Sequence, residues 1–158
     1  MEVCRALPCH IPDILRLLRQ VGQVHHEIRP DIFRVGALKY DENQLCVLLK
    51  DETRPIFVAL ADGHVLGYCF CVQKDYRSSG VQTDRVEVYI DDLCVDEACR
   101  GQGVASVLYR YVAAYARALG CSFISLNLWC GNENALRFYE HMGMRPRCIM
   151  MEQPLEDL

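Results

Sequence analysis

The sequence predicts a mixed α/β fold in a single domain, residues 1–158. Apolar residues recur at helical spacing in some segments and follow strand patterns in others, and the two kinds of segment interleave. The second half repeats the order strand, helix, strand, which is typical of α/β proteins. A length of 158 residues with 51% hydrophobic content suits one core, and no repeat or Pro/Gly-rich linker divides the chain.

A short strand over residues 2–7 is followed by two helices. The longer helix is predicted by apolar residues at helical spacing and fades near residues 25–27. These apolar residues are Ile11, Ile14, Leu15, Leu18 and Val21. The shorter helix carries Leu45 and Leu48, and Asp41 and Gln44 have the spacing of a capping pair at its start.

Two strands joined by a tight turn come next. Residues 56–60 form a continuous apolar run, as expected for a strand covered on both faces. Asp62 and Gly63 are a hairpin signal that leads into a strand over residues 65–72. Residues 74–83 are polar and are expected to form a loop.

In the following strand, which would be central in the sheet, the apolar positions change phase. Even positions from Val86 to Ile90 are apolar, whereas Leu93 and Val95 continue the pattern at odd positions. One extra residue in a strand produces this shift, so we expect a β-bulge near residues 91–92. The alternative is that the strand ends at Ile90 and a new segment begins.

The rest of the chain alternates helices and strands. A helix begins at Val104 and ends at Gly120, a C-cap signal. A strand over residues 122–129, a helix over residues 132–142 and a last strand over residues 144–151 follow. The full predicted order is β-α-α-β-β-β-α-β-α-β.

Composition limits the partners and the location. The formal net charge is −4 and the pI is near 5.7, which argues against binding of nucleic acid or of an anionic membrane. No apolar run is long enough to span a bilayer, and the N-terminus lacks a signal-peptide pattern. We therefore expect a cytoplasmic protein.

The ten cysteines include no C-x2-C pair, so their spacing does not predict a zinc site. Most of them lie in apolar segments, where a free cysteine packs as a small apolar residue. We expect most of them in the core, no bound metal and a reducing compartment.

A glycine-containing segment precedes the helix that begins at Val104. It reads Arg100, Gly101, Gln102, Gly103, Val104, Ala105. Glycines let a ligand approach the backbone, and N–H groups at a helix N-terminus bind anions such as phosphate. The segment lacks the third glycine of a dinucleotide fingerprint and the G-K-[ST] of a P-loop, so the expected ligand belongs to neither class.

A second candidate binding motif lies on the predicted helix over residues 132–142. Asn132 and Tyr139 are seven residues apart and share one face, with the small Ala135 near them. This face could hold a narrow ligand. The alternative is that Asn132 is only an N-cap and Tyr139 only a core residue.

Together, these motifs resemble the GNAT N-acetyltransferase superfamily. Arg100-x-x-Gly103-x-Ala105 is similar to its pyrophosphate loop, and Asn132-x-x-Ala135 with the following Tyr139 and Gly143-Met144 is similar to its second motif, where Phe is usual in place of Met144. The resemblance implies a mixed sheet with helices on both faces. It also implies direct transfer of an acetyl group from acetyl-CoA to an amine, without a metal.

The resemblance assigns roles to several residues. The pyrophosphate would lie on the N–H groups of residues 101–105, beside Arg100. The pantetheine arm would pair with the backbone of Leu93, Cys94 and Val95, and Asn132 would contact the same arm. Tyr139 would lie near the sulfur, where it protonates the leaving thiolate or positions it.

Three acids are candidates for the base that deprotonates the amine. We prefer Asp92, then Asp91, because the expected bulge would direct one of them into the cleft. Glu87 is the third candidate. Its position thirteen residues before Arg100 resembles that of the glutamate base in the histone-acetylating branch.

The segment after the first helix would line the acceptor site, with His25, His26, Arg29 and Phe33 as candidate contacts. The acceptor would be a small-molecule amine, with a lean toward cationic compounds, or a protein amine. Homodimers are common in the superfamily. The alternatives for function are transfer of a larger acyl group and a noncatalytic acyl-CoA-binding module.

Overall fold

A mixed five-stranded sheet organises the computed structural model, which describes residues 1–155. The chain divides into two compact units, residues 1–127 and residues 128–158. The elements are β1 (Glu2–Arg5), α1 (Ile11–Ile28), α2 (Glu42–Leu48), β2 (Ile56–Ala61), β3 (His64–Asp75), β4 (Val86–Val95), α3 (Val104–Ala118), β5 (Phe123–Leu126) and α4 (Glu133–His141). The strand order is β1-β2-β3-β4-β5, antiparallel except for the parallel β4–β5 pair.

One face of the sheet packs against α1 and α2. Ile14 and Leu18 of α1 lie in one buried cluster with Val58 of β2 and with Tyr68 and Phe70 of β3. The start of α2 is fixed by a capping box, because the Gln44 amide N–H donates to Asp41 Oδ1 at 2.8 Å and the Asp41 amide N–H donates to Gln44 Oε1 at 2.9 Å.

The opposite face packs against α3. The ring of Phe57 lies 5.1 Å from the rings of both Tyr111 and Tyr115 on that helix. Gly67 allows a close approach, because a Cβ there would lie 2.8 Å from the Cys94 carbonyl oxygen and 3.2 Å from Val104. Helices therefore cover both faces of the sheet in residues 1–127.

The pairing of β3 with β4 shifts by one residue at Asp91. Cys71 pairs with Ile90, but Phe70 pairs with Asp92, so Asp91 has no partner in the register. Paired residues point to the same face, so Ile90 faces α3 whereas Asp92 lies on the α1 face with Phe70. This shift agrees with the phase change in the sequence between Ile90 and Leu93.

In the second unit, α4 begins after Asn132, whose Oδ1 accepts from the Ala135 amide at 3.2 Å. The strand expected over residues 144–151 is wrong, because that segment forms no strand. Its apolar side chains lie in solvent, with Ile149 82% and Met150 90% exposed. Pro146 also has no N–H to give to a ladder, which disfavours a paired strand there.

The expectation that most cysteines fill the core is also wrong. Only Cys69, Cys71 and Cys94 are buried among the ten, all of which lie in the described residues and all of which are free thiols. The sequence indicated apolar neighbours, but a surface helix or loop can hold apolar residues next to an exposed cysteine.

Candidate active site

The candidate site begins where β4 and β5 stop pairing. β5 pairs with residues 87–90 of β4, whereas Leu93, Cys94 and Val95 pair only with β3. Within the described residues 1–127, no strand covers the other backbone edge of these three residues. This edge can accept an extended ligand through N–H and C=O groups.

The segment before α3 has the backbone that an anion site requires. Gly101 and Gly103 have φ angles of +76° and +82°, a left-handed conformation that favours glycine. No side chain caps the N-terminus of α3, so the N–H groups of its first turn are open to a ligand. Arg100 borders a groove of about 360 Å³ whose other wall includes Arg19 and Gln23 of α1.

Asp92 is held on the α1 face by a buried tyrosine. The Tyr68 hydroxyl donates to Asp92 Oδ2 at 3.0 Å, and Tyr68 is fully buried. Burial raises the pKa of the Asp92 carboxyl to about 6, with the charge of Asp91 adding to the effect. The Lys39 ammonium and the Tyr68 hydrogen bond oppose this rise. Asp92 is thus a carboxylate of raised basicity.

Asp91 is bound to residues from the segment between α1 and β2. Lys39 Nζ lies 2.9 Å from Asp91 Oδ2 and donates to the Asp91 carbonyl oxygen at 3.0 Å. The Tyr40 hydroxyl donates to the same Oδ2 at 3.1 Å, and Arg54 donates to the Tyr40 oxygen at 3.0 Å. Asp91 is therefore an ion-paired carboxylate.

Glu87 is fully buried among polar partners. Its Oε1 accepts from the hydroxyls of Tyr76 at 3.2 Å and Ser125 at 3.0 Å, and its Oε2 lies 3.8 Å from Arg85 Nε. This arrangement ties β4 to β5 and to the loop before β4.

The candidate acceptor residues form local contacts at the end of α1. The rings of His25 and Phe33 stack at 5.0 Å, and His26 Nδ1 lies 2.7 Å from the Phe33 carbonyl oxygen. Burial, with Lys39 as a second cause, lowers the pKa of His25. Arg29 forms an ion pair with Asp31 at 2.6 Å.

In residues 128–155, Asn132 is the N-cap of α4, and the rings of Phe138 and Tyr139 lie 5.0 Å apart. The cap uses Asn132 Oδ1, so a ligand contact would use the Nδ2 group.

Sequence reasoning missed Lys39, Tyr40 and Tyr68. One signal for Tyr68 was present, since a tyrosine in an apolar strand needs a partner for its hydroxyl. For Lys39 and Tyr40 no local pattern marks the contact, because Asp91 lies 52 and 51 residues further along the chain.

Residues 1–155 contain neither a candidate metal-binding cluster nor a helix suited to span a membrane. Nowhere in that part of the chain do three His, Cys, Asp or Glu residues group as a metal site would need. None of its helices combines the length and the apolar character of a membrane span.

Comparison with known proteins identifies the family. The model of the acetyltransferase (GNAT) family matches residues 21–144. Thialysine N-epsilon-acetyltransferase from Mus musculus is 27% identical over 134 residues, which cover 83% of this chain and 76% of the relative.

Solved structures agree with this match. A crystal structure of a mutant BH1408 protein from Bacillus halodurans matches with a TM-score of 0.93 and 28% identity. The match covers 98% of this chain and 99% of the BH1408 chain. An aminoglycoside N-acetyltransferase in complex with CoA shares the fold, with a TM-score of 0.67, 17% identity and coverage of 97% of this chain and 99% of its own. The chain therefore belongs to the GNAT acetyltransferase family and is an N-acetyltransferase, in a family that uses acetyl-CoA.

Proposed function

We propose that this protein transfers the acetyl group of acetyl-CoA to a primary amine by direct attack in a ternary complex, with Asp92 as the general base. The observation that carries the proposal is the Asp92 carboxylate, whose pKa is raised to about 6 beside the open edge of β4. A base of that pKa is largely ionised at neutral pH, yet is more basic than an ordinary aspartate.

The backbone supports a binding mode for acetyl-CoA, which would supply the activated acetyl thioester. The left-handed Gly101 and Gly103 and the uncapped N-terminus of α3 suit a pyrophosphate. The unpaired edge at Leu93, Cys94 and Val95 suits the amide groups of the pantetheine arm. Asn132 Nδ2 is proposed as a further contact with that arm.

The raised pKa of Asp92 lowers the cost of deprotonating the acceptor. Moving a proton from an ammonium of pKa ~10.4 to a carboxylate of pKa about 6 costs roughly 6 kcal/mol. The same transfer to an aspartate at 3.8 would cost roughly 9 kcal/mol. Burial of Asp92 thus removes about 3 kcal/mol from this step.

The contacts of the other two acids favour Asp92 over them. The Glu87 carboxylate already accepts two hydroxyl hydrogen bonds and faces an arginine. Asp91 is paired with the Lys39 ammonium. These contacts occupy oxygens of both carboxylates, whereas the Tyr68 hydroxyl occupies a single oxygen of Asp92. We therefore propose that Glu87 and Asp91 hold neighbouring segments in place around the site and do not act as the base.

In the proposed transfer the acceptor nitrogen loses two protons and gains the acetyl group. Asp92 first takes one proton from the acceptor ammonium, which leaves a neutral amine. The amine nitrogen then bonds to the acetyl carbon as the carbon–sulfur bond breaks, and the second proton lost by this nitrogen replaces the one that Tyr139 gives to the leaving thiolate. Tyr139 is proposed to position the leaving sulfur and to donate a proton to it. A phenol of pKa ~10 is a weaker acid than a thiol at ~8.5, so positioning is its larger role.

The proposed acceptor is a small-molecule primary amine. Its ammonium form would be attracted to the acids at β4, and the curated relative from mouse is named for acetylation of thialysine. A lysine or N-terminal amine of a protein is the second acceptor class for the test below.

The test is acetyl transfer from acetyl-CoA to a panel of small amines and peptides, read by mass spectrometry of the products. We expect acetylated small amines, and a kcat/KM lower by about 10²–10⁴-fold in Asp92→Asn. Asp62→Asn is the matched control, because Asp62 lies exposed in the turn between β2 and β3. Saturable binding of acetyl-CoA with no product from any amine would overturn the proposal and favour an acyl-CoA-binding module.

A further inference from the structure

Lys39 has an unusual position for a lysine near a candidate acceptor site. Its ammonium lies 2.9 Å from Asp91 Oδ2 and also donates to the Asp91 carbonyl oxygen, on the strand that carries Asp92. The Lys39 side chain is 38% exposed and that of Asp91 is 21% exposed, so the pair is partly shielded from water. The chain thus places a cation of its own where an acceptor ammonium would meet the acids.

Lys39 stays charged at neutral pH. Burial acts to lower the pKa of its ammonium, but the hydrogen bond to Asp91 and the charges of Asp91 and Asp92 outweigh burial and raise that pKa. A lysine that holds its proton is a poor nucleophile, so Lys39 is not placed to be acetylated itself.

The charges around the acids leave one negative charge for a substrate. Asp91 and Asp92 carry two negative charges, and Lys39 compensates the first. Arg54 adds a positive charge one contact further away, through the Tyr40 hydroxyl. His25 adds none at neutral pH, because burial and Lys39 lower its pKa.

We propose that Lys39 neutralises Asp91 and thereby restricts the acceptor site to amines that carry a single positive charge. The inference rests on the proposed acetyl transfer beside Asp92. An acceptor with one ammonium pairs with Asp92, whereas a second ammonium a few bonds away meets Lys39 and Arg54 and is repelled. Diamines and polyamines are therefore poor substrates of this chain.

The test compares butylamine with putrescine, which have the same four-carbon chain and differ by one charged group. Both amines compete at equal concentration for limiting acetyl-CoA, and the ratio of the two acetylated products gives the ratio of their kcat/KM values. The wild type is expected to favour butylamine. Lys39→Met should shift the ratio toward putrescine on the order of tenfold, because unit charges a few ångströms apart interact strongly near a protein surface.

Three variants isolate the charge of Lys39. Lys39→Arg keeps the positive charge and should keep the wild-type ratio. Lys50→Met makes the same substitution at an exposed lysine after α2 and should also leave the ratio unchanged. Lys39→Met combined with Asp91→Asn removes both charges of the pair and should return the ratio to that of the wild type. An unchanged ratio in Lys39→Met, or acetylation of Lys39 itself, overturns the inference.

A binding measurement separates this inference from the proposed function. Backbone amide shifts of residues 91–92 are followed by NMR during titration with putrescine, which requires no turnover. Tighter putrescine binding by Lys39→Met than by the wild type supports the role of Lys39, whether or not the proteins form product. Absence of product from both proteins would contradict the proposed acetyl transfer but not the role of Lys39. If both proteins form product and bind putrescine equally, the role of Lys39 is contradicted while the proposed acetyl transfer stands.

Discussion

Replacement of Asp92 by asparagine should make the folded protein more stable while it abolishes most of the activity. Burial raises the pKa of this carboxyl from 3.8 to about 6, so the folded state binds the proton more tightly than the unfolded state does. The carboxyl therefore contributes its full share of stability below about pH 4 and loses it as the pH rises through about 6. A rise of the Asp92 pKa from 3.8 to about 6 corresponds to a loss of about 3 kcal/mol in the free energy of unfolding above that pH.

The asparagine variant keeps one interaction and removes the charge. Its amide oxygen can still accept the hydrogen bond from the Tyr68 hydroxyl, but it does not ionise. Compared with the wild type, the free energy of unfolding should rise by up to about 3 kcal/mol near pH 7.5 and change little near pH 4. Urea denaturation at the two pH values measures both differences, and Asp62→Asn should show a small and equal difference at both.

Two results would refute this reasoning. An asparagine variant that is less stable than the wild type near pH 7.5, or one whose stability difference does not change with pH, would show that the ionised carboxylate is not strained by burial. The activity gives an independent check, because the wild-type kcat/KM should fall as the pH drops below about 6 and the base becomes protonated.

Three other substitutions test parts of this structure. Tyr68→Phe removes a hydrogen bond that lowers the pKa of Asp92, so the acidic limb of the kcat/KM profile should move to higher pH. An acidic limb at the wild-type pH would contradict this role of the Tyr68 hydroxyl. Gly67→Ala places a Cβ 2.8 Å from the Cys94 carbonyl oxygen, so the free energy of unfolding measured with urea should fall by roughly 1–3 kcal/mol. An unchanged free energy of unfolding would mean that the strands move apart without cost. Asp41→Ala removes the N-cap of α2, so thermal denaturation should show a loss of about 1 kcal/mol in stability with little change in kcat. A large loss of kcat would show that α2 contributes to catalysis.

The elements that the sequence predicted well are those with a local physical cause. The apolar residues of α1 lie one helical turn apart, and Ile14 and Leu18 are buried against the sheet. The capping pair Asp41 and Gln44 forms its reciprocal hydrogen bonds. In such cases spacing within one segment determines the contact, so a single sequence is enough.

The elements that the sequence predicted poorly depend on distant segments. Residues 144–151 have strand-like composition, but apolar composition alone does not provide a neighbouring strand. The ion pair between Lys39 and Asp91 joins residues 52 positions apart in the chain, and no periodicity indicates it. Register and ion pairing between segments arise only when folding brings distant parts of the chain together.

The shift of register at Asp91 explains how β4 brings Asp92, the proposed base, to the α1 face of the sheet. If β4 kept its phase, Asp92 would lie on the same face as Val88 and Ile90, against α3, and away from Tyr68. The shift places Asp92 opposite Phe70 on the α1 face, next to the Tyr68 hydroxyl, while Asp91 stays at the irregularity within reach of Lys39. Two adjacent acids thereby acquire different partners, a buried tyrosine hydroxyl for Asp92 and a lysine ammonium for Asp91. The same irregularity lies directly before the open edge of β4, so the carboxyl proposed as the base and the edge proposed to bind the pantetheine arm are neighbours along one strand.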